Sequence, residues 1–139
     1  MKQKFSTQWV ASKQKRKQRK YIFNAPLHKR QKLISSSLSK ELRRKYGKRN
    51  MAVKKGDLVR ILVGKFKRKE GKVSSVRRDV LKVTVDGMQI QKKDGTKVNA
   101  KFHPSNLQIK ELNLTDKKRE AILLRKKKGE KENAPEKKQ

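Results

Sequence analysis

The sequence predicts a mainly β protein: a small barrel over residues 51–112, with a basic helical extension before it and a short helix after it. Three observations carry this. Apolar residues alternate with polar ones at a period of two only within residues 51–112. Turn-forming residues recur there every 8–12 positions, the spacing of short antiparallel strands. Outside that stretch, charge dominates. Only 32% of the 139 residues are hydrophobic and 40% are charged, too few apolar side chains for one core to take in the whole chain.

Residues 1–23 form a basic arm. Phe5 and Trp9 sit among polar residues, followed by Lys13-Gln-Lys-Arg-Lys-Gln-Arg-Lys20, in which six of eight positions are cationic. Like charges at this density predict an extended segment that orders on a polyanion. Trp9 suits base stacking or packing on the domain equally well.

Residues 24–50 read as two short helical pieces. Pro26 suits a first helical turn with Asn24 as its cap, and Leu27, Leu33 and Ile34 make a short apolar edge. Ser35-Ser-Ser37 interrupts the pattern. A second helix starts at Ser39 as N-cap, places Leu42 and Tyr46 on one apolar face, and stops at Gly47. Lys40, Arg43, Arg44 and Lys45 fall on its other face, a basic surface suited to phosphates, and Tyr46 belongs to the core.

The barrel opens with the run Val53–Val73. Apolar stretches Leu58–Val63 and Val73–Val76 flank a loop bounded by Gly64 and Gly71, which carries Lys65, Lys67, Arg68 and Lys69 around Phe66. Glycine at the ends of such a loop allows positive φ and close backbone approach, so a cationic loop can lie flat on a phosphate backbone. Val73 and Val76 are three apart, so either that strand carries a bulge or it is not a strand. Leu81, Val83 and Val85 form one alternating set; Val98, Ala100 and Phe102 another; Leu107 and Ile109 complete it. Asp94-Gly95 predicts a two-residue hairpin turn, and His103-Pro-Ser-Asn106 breaks the chain before the last strand. A barrel of about 60 residues buries only about 60% of its chain surface, so support from the flanks or from a bound polyanion is expected.

Residues 113–128 read as a C-terminal helix capped by Thr115, with Asp116 and Glu120 near its start and Arg125-Lys-Lys-Lys128 at its end. Residues 129–139 have the composition of a disordered tail.

Charge decides the class of function. Lysine and arginine number 43 against 12 acids, a formal net charge of +31. Nucleic acid is the abundant polyanion that neutralises such a chain. Residues 1–50 hold 17 basic residues and one acid, so the arm and short helices are the most cationic part. No apolar run approaches the roughly 18 residues needed to span a bilayer, and no apolar signal segment follows Met1. Residues 1–20 are basic but lysine-rich, unlike an arginine-rich transit peptide. Membrane insertion and homo-oligomer formation are not expected. With no cysteine, thiolate metal sites and disulfides are excluded.

Catalysis needs converging groups. His28 and His103 lie in different segments, no nucleophile elbow or phosphate-binding loop occurs, and Asp57, Glu70, Asp79, Asp86 and Asp94 read as turn and charge-pairing residues. No enzyme, cofactor or metal site is expected.

Lys55-Gly-Asp-Leu-Val-Arg-Ile-Leu-Val-Gly-Lys-Phe-Lys67 with Glu70-Gly-Lys-Val73 resembles the KOW motif, which also occurs in transcription elongation factors. Phe23-Asn-Ala-Pro-Leu-His-Lys-Arg30, Ser35-Ser-Ser-Leu-Ser-Lys-Glu-Leu-Arg-Arg-Lys-Tyr46 and His103-Pro-Ser-Asn-Leu107 narrow it. Together they resemble, over roughly residues 20–125, the ribosomal protein L twenty-six family of eukaryotes and archaea, whose bacterial counterpart is L twenty-four. The resemblance implies an SH3-like KOW barrel that binds large-subunit ribosomal RNA, chiefly its 5′ part, early in assembly. It implies a place beside other ribosomal proteins near the exit-tunnel mouth, within reach of nascent-chain or exit-tunnel factors. The implied location is the cytoplasmic ribosome, with a nucleolar stage during assembly in a eukaryote.

The alternative is a KOW adaptor of transcription or chromatin, which would bring an acidic or apolar docking surface and partner domains. The expected RNA contacts are Lys13, Lys15, Arg16, Lys17, Arg19 and Lys20 of the arm; Lys29, Arg30, Arg43 and Arg44 of the helices; and Lys54, Lys55, Lys65, Phe66, Lys67, Arg68, Lys69 and His103 of the barrel. One position departs from the family pattern: Arg68 stands where the loop usually has glycine. Either the loop takes another path or arginine tolerates the position.

Overall fold

The period-two pattern is realised as a curled sheet whose inner face is the core. The structure, a computed structural model, describes residues 5–6 and 12–125. Its strands are β1 (Ser35–Leu38), β2 (Asn50–Ala52), β3 (Leu58–Ile61), β4 (Glu70–Arg77), β5 (Lys82–Gln91), β6 (Lys97–Phe102) and β7 (Leu107–Glu111). They are ordered β2-β1-β7-β3-β4-β5-β6 in one sheet. All pairs are antiparallel except β1 with β7, which run parallel. Val59 and Ile61 of β3, Val83 and Val85 of β5, and Leu107 and Ile109 of β7 are buried against one another in a single cluster. Alternate residues on a pleated strand point to opposite faces, so these are the inward sets that the alternation marks.

Several expectations stand as stated. The register shifts between Val73 and Ser75, a bulge in β4. The β5–β6 turn falls at Asp94-Gly95 as expected but is a three-residue loop and not a two-residue one: Gln91 pairs with Lys97, and Lys92 N donates to the Thr96 carbonyl at 2.9 Å. Gly95 takes φ +81°, its N–H closes the turn on the Lys92 carbonyl, and Asp94 Oδ1 accepts from the Thr96 N–H and hydroxyl. Residues 104–106 form a 3₁₀ turn (Pro104–Asn106) between β6 and β7. The helix α3 (Lys40–Tyr46) is capped by Ser39, whose Oγ accepts from Leu42 N at 3.3 Å, and closed by Gly47 in the left-handed region. Leu42 and Tyr46 pack on the core cluster, half-buried.

The flanks differ from expectation in four ways. Residues 15–24 are not extended: they form α1 (Lys15–Asn24). Lysine, arginine and glutamine are good helix formers, and no glycine or proline interrupts them. Asn24 ends that helix instead of capping the next, and Pro26 is the N-cap of α2 (Leu27–Leu33), with no side-chain cap bond. Ser35–Leu38, expected as an interruption, is strand β1. Finally, α4 (Lys117–Leu124) is capped by Asp116, which accepts from Lys118 N at 2.8 Å, and not by Thr115. Within the barrel, β3 stops at Ile61, leaving Val63 59% exposed. Trp9, residues 126–128 and the 129–139 tail lie outside the described residues.

Strand β1 changes the plan of the molecule. It joins β2 to β7 and puts Ile34, Leu38 and Met51 into the same core as the KOW hairpin. The Ser36 hydroxyl donates to the Pro104 carbonyl at 2.6 Å, tying β1 to the 3₁₀ turn. The segment between the arm and the barrel is therefore part of the barrel wall.

Candidate nucleic-acid interface

The β3–β4 loop is built as a tight cationic tip. Ile61 and Lys69 close its neck, with Ile61 N donating to the Lys69 carbonyl at 2.9 Å and Arg68 N to the Ile61 carbonyl at 2.8 Å. Arg68 has φ +70°, the conformation that a glycine there would supply freely. The loop therefore keeps the glycine-type path, and arginine tolerates it while adding a cation. Gly71 is fixed by close approach: a Cβ would lie 2.8 Å from Val85 Cγ1 and 3.0 Å from the Asp86 carbonyl oxygen.

Lys65, Lys67, Arg68 and Lys69 are exposed on this tip. None has a hydrogen bond or ion pair through its side chain among the described residues; Lys69 only lies over the Phe66 ring, 5.7 Å from its centroid. Phe66 itself turns inward. It meets Phe102 edge-on with centroids 6.0 Å apart and packs on the core. It props the loop and does not offer a free face for a base.

His103 sits next to this tip, because Leu62 N donates to the Asn106 carbonyl at 2.9 Å. Its Nδ1 accepts from Ser105 N at 3.3 Å and is 2.7 Å from the Ser105 hydroxyl, so the ring caps the 3₁₀ turn. Desolvation, helped by the positive charge of Lys82, holds its pKa below the usual histidine value. His103 is thus a neutral capping residue at neutral pH.

A second basic surface comes from the N-terminal helices. On α1, Lys15, Arg16, Lys17, Arg19 and Lys20 are exposed with no side-chain partner among the described residues, as is Lys13 just before it. Tyr21 near the helix end meets Phe5, with ring centroids 4.9 Å apart. Arg30 is engaged in structure. Its guanidinium donates to the carbonyls of Ala25 (2.8 Å), Asp79 (2.6 Å) and Phe23, pinning both helices to the β4–β5 turn. Lys29 stays unpaired and half-buried.

Of the remaining expected contacts, Arg44 is exposed, while Arg43 Nε donates to the Leu38 carbonyl at 2.8 Å and leaves its two outer nitrogens available. Lys54 pairs with Asp116, and Lys55 beside it is free among the described residues. The Lys54 pair lowers the Asp116 pKa through its side-chain hydrogen bond, with the Lys118 N–H contributing next.

Sequence reasoning missed Arg78, an exposed and unpaired cation that shares a cavity wall with Lys54 and Lys55. The Arg77-Arg78 pair at a strand end was the available signal. It also missed that Asp57 is no turn residue in solvent: it is 0% exposed and bound to Arg119. No group of three or more histidines and acids that could hold a metal occurs among the described residues. No helix among them is long and apolar enough to cross a membrane.

Comparison with known families matches residues 12–126 to the profile of the ribosomal proteins called L26 in eukaryotes and L twenty-four in archaea. The match runs from α1 through α4 and does not rest on the β3–β4 loop alone, which leaves the transcription-adaptor alternative without support. The chain belongs to this family of ribosomal proteins, as a structural protein of the large subunit.

Proposed function

We propose that the chain clamps large-subunit ribosomal RNA during early assembly, binding the 5′ part of that RNA near the polypeptide exit tunnel, with no reaction of its own. One observation carries this reading: the cations of α1 and of the β3–β4 tip are exposed and unpaired, so their charge is available to phosphates. Phosphate contacts fix position, while RNA shape, 2′-hydroxyls and unstacked bases supply recognition. The sites are the unpaired cations Lys13, Lys15, Arg16, Lys17, Arg19, Lys20, Lys29, Arg44, Lys55, Lys65, Lys67, Arg68 and Lys69, with Arg43 joining them through the two outer nitrogens that its bond to Leu38 leaves available. Lys54, Arg30, Phe66 and His103 support them.

Neighbouring ribosomal proteins have a natural contact in the apolar surface beside α1 and α2. Phe23 is 78% exposed and Leu27 62% exposed, and Phe23 and Val80 line a cavity of about 430 Å³ there. Nascent-chain and exit-tunnel factors belong to the same reading, as does a nucleolar stage of assembly in a eukaryote.

The test is binding to a transcript of the 5′ part of large-subunit RNA over a salt series. With about ten phosphates neutralised, affinity falls roughly 10³–10⁵-fold between 50 and 200 mM salt. A shallow salt dependence, or migration away from the large-subunit peak in a sucrose gradient, overturns the reading.

A further inference from the structure

A cavity of about 490 Å³ opens between the end of α2, the segment after β2, and the bulged part of β4. We propose that it holds one unstacked nucleotide of the bound RNA, a deepening that rests on the RNA-binding reading above. Its walls divide by chemistry. Ile34, Val53 and Val76 supply an apolar floor, and Lys55 and Arg78 stand at the rim with no side-chain partner among the described residues. Gln31 also lines the cavity, and its side-chain amide has no partner among those residues.

The bulge gives the cavity its third component. Where β4 opposes β5, Ser74 and Ser75 both reach the single Thr84 hydroxyl, each at 2.8 Å. An extra residue in one strand re-aims side chains, and bulges recur beside functional sites for that reason. Here it brings both Ser74 and Ser75 to the cavity wall.

Apolar, neutral polar and cationic residues around one cavity match the parts of a nucleotide. The flat base meets the floor, its polar edge meets Gln31 and the serines, and its phosphate meets Lys55 and Arg78. The volume lies within the ~300–1,000 Å³ of small-ligand sites. RNA-binding proteins read sequence chiefly through such splayed-out bases, since side chains cannot enter the narrow A-form major groove. The cavity is thus where recognition of a particular nucleotide enters, in contrast to the phosphate contacts of α1.

Ser75→Phe fills the cavity from an exposed strand position without removing a charge, and Arg78→Gln removes one rim cation. Both are tested as full chains against the same 5′ large-subunit transcript, with base-specific chemical probing of the complexes. The expected result for Ser75→Phe is a loss of roughly 5–10-fold in affinity, in the lower range of what a bound base contributes. Its salt slope stays that of wild type, and one unpaired base protected by wild type becomes reactive. Arg78→Gln weakens binding and lowers the salt slope by about one phosphate contact.

Wild-type affinity and base protection in both variants assign the cavity to a protein segment or to solvent, and overturn the proposal while leaving RNA binding intact. Failure of the wild-type chain to bind the transcript with a steep salt slope removes the underlying reading and the nucleotide site together. If Ser75→Phe does not fold, Arg78→Gln and its footprint decide.

Discussion

Arg119 of α4 grips Asp57 of the barrel in a two-pronged pair: Nη1 to Oδ1 at 2.6 Å and Nη2 to Oδ2 at 2.7 Å. Both side chains are almost fully buried, at 2% and 0% exposure. Asp57 accepts two further bonds, from Lys54 N and Asn113 N at 2.9 Å each. Arg119 also donates to the carbonyls of Asn113 and Ala52. The pair thus joins β2, the start of β3, the segment after β7 and the C-terminal helix. Planar bidentate geometry favours arginine over lysine at such a site.

Arg119→Ala is therefore expected to lower stability by about 3–5 kcal/mol, because it leaves a buried carboxylate without its counter-charge. Chemical denaturation measures it. Arg119→Lys loses most of the same stability, since an ammonium cannot reproduce the fork. Replacing both partners by apolar residues of similar size recovers part of the loss. A loss under about 1 kcal/mol for Arg119→Ala would mean that α4 is not locked through this pair.

The φ of +70° at Arg68 carries its own expectation. A side chain in the left-handed region costs on the order of 1 kcal/mol, which glycine relieves while adding backbone entropy to the unfolded chain. Arg68→Gly should leave stability unchanged or raise it by up to about 1 kcal/mol, while RNA binding weakens by one phosphate contact. Arg68→Val should destabilise by about 1–2 kcal/mol, because a β-branched residue fits that region worst. Thermal melts of the two variants, run beside wild type, check the pair; equal melting temperatures would contradict it.

The barrel is legible because strands with one buried face print a period of two, and Asp94-Gly95 and Pro104 mark where strands end. The β3–β4 tip is legible from its glycine spacing. Strand β1 is not. Ser35-Ser-Ser-Leu38 has the composition of a cap or turn, and it is extended only because β2 and β7 supply partners far along the chain. The Asp57–Arg119 pair spans 62 residues, and nothing local to either residue marks it as buried. Helix α1 escapes a reading that weighs charge density above intrinsic helix propensity. At the interface, the sequence marks which residues are cations but not which are already engaged, as Arg30 and Lys54 are.

His103 gives a pH dependence. Its folded pKa lies below the usual histidine value, mainly through desolvation and secondly through Lys82. The unfolded chain therefore binds the proton more readily. The stability that the neutral ring contributes is present above the unfolded value of about 6.5 and is lost as pH falls through the lower folded pKa. Protonation also converts the Nδ1 acceptor of the Ser105 N–H into a donor. Denaturation midpoints between pH 7.5 and 5 should fall more for wild type than for His103→Asn, an N-capping residue that does not titrate. Parallel curves for the two proteins would exclude His103 as the source.

The arm and the loop tip should separate in salt dependence. Neutralising Lys13, Lys15, Arg16, Lys17, Arg19 and Lys20 together with glutamine preserves helix propensity in α1 and removes six exposed charges. If each meets a phosphate, the slope of log affinity against log salt becomes shallower by about 4. The same change at Lys65, Lys67, Arg68 and Lys69 removes four charges and about 3 from the slope. The two segments lie on different elements and share no contact residue, so their effects should add. Filter binding of each variant and of the combination, from 50 to 300 mM salt, gives the slopes. A slope unchanged by the α1 substitutions would place that helix away from the RNA, despite the five exposed cations it carries.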